Sequence, residues 1–131
     1  MKVMTHRRTT LLLAAVMMVN YSNLFAQTLA EQKICAEAAK VYFNEEYSDH
    51  AAGDNTNYHT YATHFNAKLG RCLIQVTILI VQNHKLVGRV VTVEDVFERK
   101  MYEGVAIDSE TEHRTPEQEK ALKHMMVLMS E

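Results

Sequence analysis

Arg71-Cys72-Leu73-Ile74-Gln75-Val76-Thr77-Ile78-Leu79-Ile80-Val81-Gln82 carries the strongest strand signal in the chain. Aliphatic and β-branched residues dominate it, and neither Gly nor Pro interrupts it. Strand alternation sends Cys72, Ile74, Val76, Ile78 and Ile80 to one face, and Leu73, Gln75, Thr77, Leu79 and Val81 to the other. The first face is wholly apolar and is expected to lie beneath helices. The second is mixed, which suits partial exposure.

The neighbouring segments build a sheet around this strand. Asn66 to Gly70 reads as a turn, and Tyr58 to Asn66, rich in aromatic and β-branched residues, as the preceding strand. Ser48 to Asn57, dense in Asp, Asn and Gly, reads as a surface loop. On the other side, Gln82-Asn83-His84-Lys85 is a polar break before a returning strand, Leu86 to Thr92, where Gly88 marks a bulge or close packing. Thr92 is placed to cap a short helical insertion, Val93 to Lys100. Glu94 and Asp95 would sit near its positive end, and Val93, Val96 and Phe97 would form its buried edge. Met101 to Ile107 is the last strand expected, and Asp108 to Arg114 a charged linker.

Helices flank this region. Thr28 and Glu31 form a capping-box pair ahead of a helix from Leu29 to about Tyr47, with Ile34, Cys35, Ala38, Val41 and Tyr42 on one apolar stripe. Thr115-Pro116-Glu117-Gln118 opens a second helix running to about Ser130, with Ala121, Leu122, Met125, Met126, Leu128 and Met129 as its apolar residues. The methionines read as core or as an adaptable binding stripe. The expected fold class is α+β: an N-terminal helix, a small antiparallel sheet of three to four strands with a short helical insertion, and a C-terminal helix, both helices on one sheet face.

The first 26 residues read as a secretory signal peptide. Lys2, Arg7 and Arg8 precede nine uncharged apolar residues, Leu11 to Val19, and a polar tail ends at Ala26. A spanning helix needs about 20 apolar residues, so no stable membrane span is expected after its removal. Residues 27–131 then form one small domain. Losing Lys2, Arg7 and Arg8 shifts the net charge from −2 to −5. An acidic balance argues against nucleic acid as a partner. The two cysteines, Cys35 and Cys72, fit one disulfide in an exported protein, and both periodicities turn the sulfurs inward. A reactive thiol is the alternative, although no Cys-x-x-Cys pair exists.

Tyr61 to Cys72 reads Tyr-x-x-His-aromatic-Asn-x-Lys-Leu-x-basic-Cys. With Cys35 to Lys40 upstream, and Asp95 to Lys100 followed by Tyr102 downstream, it resembles a family of small exported bacterial proteins of unknown function. The resemblance covers roughly residues 30–105. It implies export, to the periplasm or outside the cell, and a disulfide. It carries no activity to this chain.

Candidate chemistry is sparse. Tyr61, His64 and Asn66 fall within six residues and are the ligand-binding candidates. Alternation puts His64 and Asn66 on one face and Tyr61 on the other, and the competing role for His64 and Asn66 is to fix the turn through backbone hydrogen bonds. His50, His59 and His64 are the residues a metal would use, with Asp54 nearby, although their spacing matches no established metal motif. No serine lies in a Gly-x-Ser-x-Gly turn, the glycines form no phosphate loop, and the acidic pairs Glu45-Glu46 and Glu94-Asp95 read as solvated faces. No catalytic residue and no cofactor is assigned. The function expected is that of an exported binding or interaction module for a protein or small molecule. The alternative is a small His-dependent metal-binding or hydrolytic protein.

Overall fold

The structure, a computed structural model, describes residues 29–47, 55–109 and 114–131. The expected signal peptide, the Thr28 cap, His50, Asp54 and most of the expected loop and charged linker lie outside the described residues. Residues 29–46 form α1. Four strands follow, β1 (Asn55–Asn66), β2 (Arg71–Gln82), β3 (Lys85–Asp95) and β4 (Lys100–Asp108), and then α2 (Pro116–Leu128). The strands make one antiparallel sheet in the order β1-β2-β3-β4, each paired with its sequence neighbour. Residues Gln32–Glu131 form one compact unit.

Local chemistry sets each hairpin. Gly70 ends the β1–β2 turn at φ +62°, where a side chain would be strained. Asn83 and His84 form a two-residue turn with φ of 50° and 60°, the doubly left-handed geometry that matches strand twist. The β2–β3 register slips between Ile80 and Val81, beside Gly88. A Cβ on Gly88 would meet the Ile107 carbonyl oxygen at 3.1 Å, so this glycine marks both a bulge and a close approach.

The segment expected as a helical insertion is strand and turn. β3 continues to Asp95, and residues 96–99 turn directly into β4. Val90, Val91, Thr92 and Val93 favour the extended backbone. Thr92, the expected cap, instead donates to Glu94, and Asp95 caps a turn: its Oδ1 accepts from the amides of Phe97 (2.9 Å) and Glu98 (2.8 Å). Arg99 closes the turn at φ 52°. The Val96 amide donates to the Cys72 carbonyl at 3.0 Å, extending the β2 contact by one residue. Val93 and Val96 are buried as expected, whereas Phe97 is 65% exposed.

The helices cover opposite faces of the sheet, not one. Cys35, Ala39 and Tyr42 of α1 pack with Cys72, Ile74, Val76 and Val96. Met125 and Leu128 of α2 pack with Leu73, Val91, Val93 and Val105. Leu73, Ile74, Val76 and Val93 are fully buried, and each contributes roughly 1.5–3 kcal/mol. The face that β2 alone makes look mixed is completed by the valines of β3 and β4.

On α1 the buried stripe is Cys35, Ala39 and Tyr42, with Ala38 and Phe43 beside it. Ile34 and Val41 are 59% and 56% exposed. Each lies one residue, about 100° of helical rotation, before Cys35 and Tyr42. A disulfide joins Cys35 to Cys72 with a Cα–Cα distance of 5.3 Å, and it fixes which side of the helix meets the sheet. α2 begins with the expected capping box: the Gln118 amide donates to the Thr115 hydroxyl, and the Thr115 amide to the Gln118 side chain. Met125 is core, Met129 partly buried and Met126 exposed. Among the described residues no helix is long and apolar enough to cross a membrane.

Candidate functional site

On the α1 side the polar chemistry gathers at Glu94. Its register partner is Ile74, so its side chain falls on the face beneath α1, and it is buried. Three hydroxyls donate to its carboxylate: Tyr42 at 2.5 Å, Tyr47 at 2.5 Å and Thr92 at 2.6 Å. Burial first, and then the bonds to Glu94, push both tyrosine hydroxyls above their ordinary range. They therefore remain donors through neutral pH. Arg99 lies over the Tyr42 ring at 5.6 Å, but its guanidinium is engaged by Glu45 at 2.6 Å and by Glu46. The reading of Glu94-Asp95 as a solvated pair is thus corrected. Both are buried, and alternation sends them to opposite faces. Glu45 and Glu46 are exposed, as expected. The Glu94 carboxylate is enclosed and occupied by donors, so it ties α1 to β3 and offers no open base to a substrate.

The residues singled out in the sequence take separate places. The Asn66 side chain is fully buried. Its amide donates to the Leu128 carbonyl at 2.8 Å, and its oxygen accepts from the Leu69 amide at 2.9 Å. It fixes the turn and also satisfies a carbonyl at the end of α2. Tyr61 is on the α1 face, its ring 4.3 Å from that of Phe43. His64 pairs with Leu73 on the α2 face, and its buried Nε2 meets no hydrogen-bond partner among the described residues. A pocket of about 190 Å³ borders this strand, lined by Gln32, Ala36, Thr63, His64 and Phe65.

His59 is on the α1 face. Its Nδ1 lies 2.8 Å from the Tyr47 carbonyl oxygen, so that nitrogen carries the proton and donates. Five residues of strand put His59 and His64 on opposite faces and roughly 16 Å apart along the backbone. One ion cannot reach both. Among the described residues no group of three His, Cys, Asp or Glu side chains converges to hold a metal.

On the α2 side of the sheet, two of the methionines expected as core or binding stripe, Met125 and Met126, meet residues that no sequence pattern singled out. A groove of about 230 Å³ is lined by Gln75 and Thr77 of β2, Arg89 and Val91 of β3, Arg114, and Leu122, Met125 and Met126 of α2. Strand alternation puts Gln75, Thr77, Arg89 and Val91 on one face, and α2 covers only part of it. Two arginines therefore share one opening with the aliphatic and thioether residues Val91, Leu122, Met125 and Met126. The signal for Arg89 was its place, two residues before Val91 on a strand otherwise apolar between Leu86 and Val91. The contribution of Arg114 is set by the chain path into α2, which no local pattern encodes.

No family model, no curated protein and no solved structure matches this chain.

Proposed function

We propose that this chain is an exported domain that works by non-covalent binding, and that the groove beside α2 takes a small amphipathic anion. The observation that carries the reading is the pairing of Arg89 and Arg114 with Val91, Leu122, Met125 and Met126 around one opening. Guanidinium groups bind carboxylate through paired N–H donors, and the methionines adapt to an apolar tail. The volume is below the roughly 300–1,000 Å³ of drug-sized sites, so the occupant is a short-chain carboxylate or similar small anion. In an otherwise acidic mature chain, the two arginines give the groove the charge an anion needs.

Export is supported by the basic start, the apolar run Leu11 to Val19, and the disulfide, which belongs to an oxidising compartment such as the periplasm or the extracellular space. The same reading places the chain with the small exported bacterial proteins whose Tyr61–Cys72 box it resembles. A His-dependent metal-binding or hydrolytic role ranks second, because His59 and His64 lie on opposite faces of the sheet and the Glu94 carboxylate is enclosed.

The test is thermal unfolding with hexanoate, with hexanol as the uncharged analogue. Hexanoate is expected to raise the unfolding midpoint in a concentration-dependent way, hexanol to leave it nearly unchanged, and Arg89→Gln to remove the hexanoate effect. A midpoint indifferent to hexanoate, or equally raised in Arg89→Gln, contradicts the assignment.

A further inference from the structure

The two edges of the sheet are built differently. β4 carries Lys100, Glu103 and Asp108, spans nine residues, and has a register break at Tyr102 between its pairs with Val93 and Glu94. Charges, short length and bulges are the devices by which an edge strand resists pairing with another chain. β1 has none of them. It runs twelve residues, Asn55 to Asn66, without Asp, Glu, Lys, Arg, Pro or Gly, and pairs with β2 without a register break. Alternate residues of β1 turn their backbone N–H and C=O away from β2. Near its middle, Tyr58, Thr60 and Ala62 are exposed.

We infer that the β1 edge takes the β1 edge of a second copy of this chain, antiparallel, making one eight-stranded sheet across a two-fold axis. In such a pairing the strand meets itself. A charged residue near the axis would face its own like charge, and β1 has no fixed charge along its whole length. A two-fold closure also uses both β1 edges at once and leaves only the charged, bulged β4 edges at the ends. Because the axis stands perpendicular to the sheet, even-numbered residues meet even-numbered ones, and the face covered by α2 continues from one copy to the next. This interface is independent of the groove beside α2.

The experiment is sedimentation velocity on the full disulfide-bonded protein over a range of concentrations. The wild type is expected at twice its own chain mass. The double variant Thr60→Lys/Ala62→Lys puts positive charges at exposed positions on both strands and is expected to weaken dimerisation roughly tenfold or more. Thr60→Glu/Ala62→Glu does the same, and mixing the two variants restores a dimer containing one chain of each. Ala106→Lys on β4 is expected to leave the dimer intact. A wild type that stays monomeric at all concentrations overturns the inference, as does a dimer indifferent to the β1 charges. A monomer that takes up a foreign β-strand peptide overturns it in favour of a different partner. If either β1 variant fails to fold alone, recovery of the mixed dimer by co-refolding supports the inference, and its absence counts against it.

Discussion

Removing the Glu94 carboxylate takes the shared acceptor from the hydroxyls of Tyr42, Tyr47 and Thr92. Buried donors left without an acceptor cost more than the bond itself gained. Glu94→Ala is therefore expected to lose on the order of 3 kcal/mol in urea unfolding, and Glu94→Gln, which keeps an acceptor oxygen, clearly less. The raised tyrosine hydroxyls also set an alkaline limit. A tyrosine whose folded form holds its proton more tightly than the unfolded form contributes stability below its ordinary value near 10. That stability is lost as pH rises beyond it. Unfolding free energy is expected to fall from about pH 10 upward, more steeply in the wild type than in Tyr42→Phe/Tyr47→Phe, and equal slopes would contradict the assignment. This cluster was not legible in the sequence, because an adjacent Glu-Asp pair after a valine-rich run ordinarily marks a solvated end. Only the pairing of Glu94 with Ile74 places it under α1.

Asn66 links the β1–β2 hairpin to α2 through one buried hydrogen bond to the Leu128 carbonyl, and holds the turn through a second from the Leu69 amide. Asn66→Ala is expected to cost roughly 2–3 kcal/mol, with faster amide exchange concentrated in the last turn of α2 and in the turn through Leu69. Uniform exchange across the protein would mean that Asn66 does not join these elements. Most elements were legible because period-two and helical patterns, the Thr115 capping box and the polar turns are local signals. β2 was read at its observed limits. The segment after Thr92 departs from the expected helix because a Thr followed by Glu and Asp serves a strand end and tight turn as well as it serves a helix start, and the β-branched run Val90 to Val93 decides between them. The buried side of α1 was misjudged by about one residue. Ile34 and Val41 look like core by hydropathy, but the bond from Cys35 to β2 turns the helix so that the small Ala39 meets the sheet. Of the residues offered as a binding cluster, alternation already separated Tyr61 from His64 and Asn66, whereas the bond from Asn66 to α2 spans 62 positions and lies beyond any local pattern.

Among the described residues, a four-stranded meander carries one helix on each face, and each helix buries a separate cluster. The sequence pattern of a single strand could not reveal this, because the second face draws its apolar residues from β3 and β4 as well. The disulfide spans 37 positions between α1 and β2. The chain-entropy model gives such a link about 4 kcal/mol, a large share of the roughly 5–15 kcal/mol that holds a domain together. Cys72→Ala is expected to lower the unfolding free energy by up to about 4 kcal/mol, and an unchanged midpoint would show that the link adds no constraint. The account as a whole rests on export to an oxidising compartment. Its most direct test is the intact mass, without reductant, of the protein recovered from the producing cells and from their surroundings. The predicted result is a chain lacking residues 1–26, found outside the cytosol and about 2 Da lighter than its dithiol form. A full-length chain in the cytosol with both thiols free would contradict it.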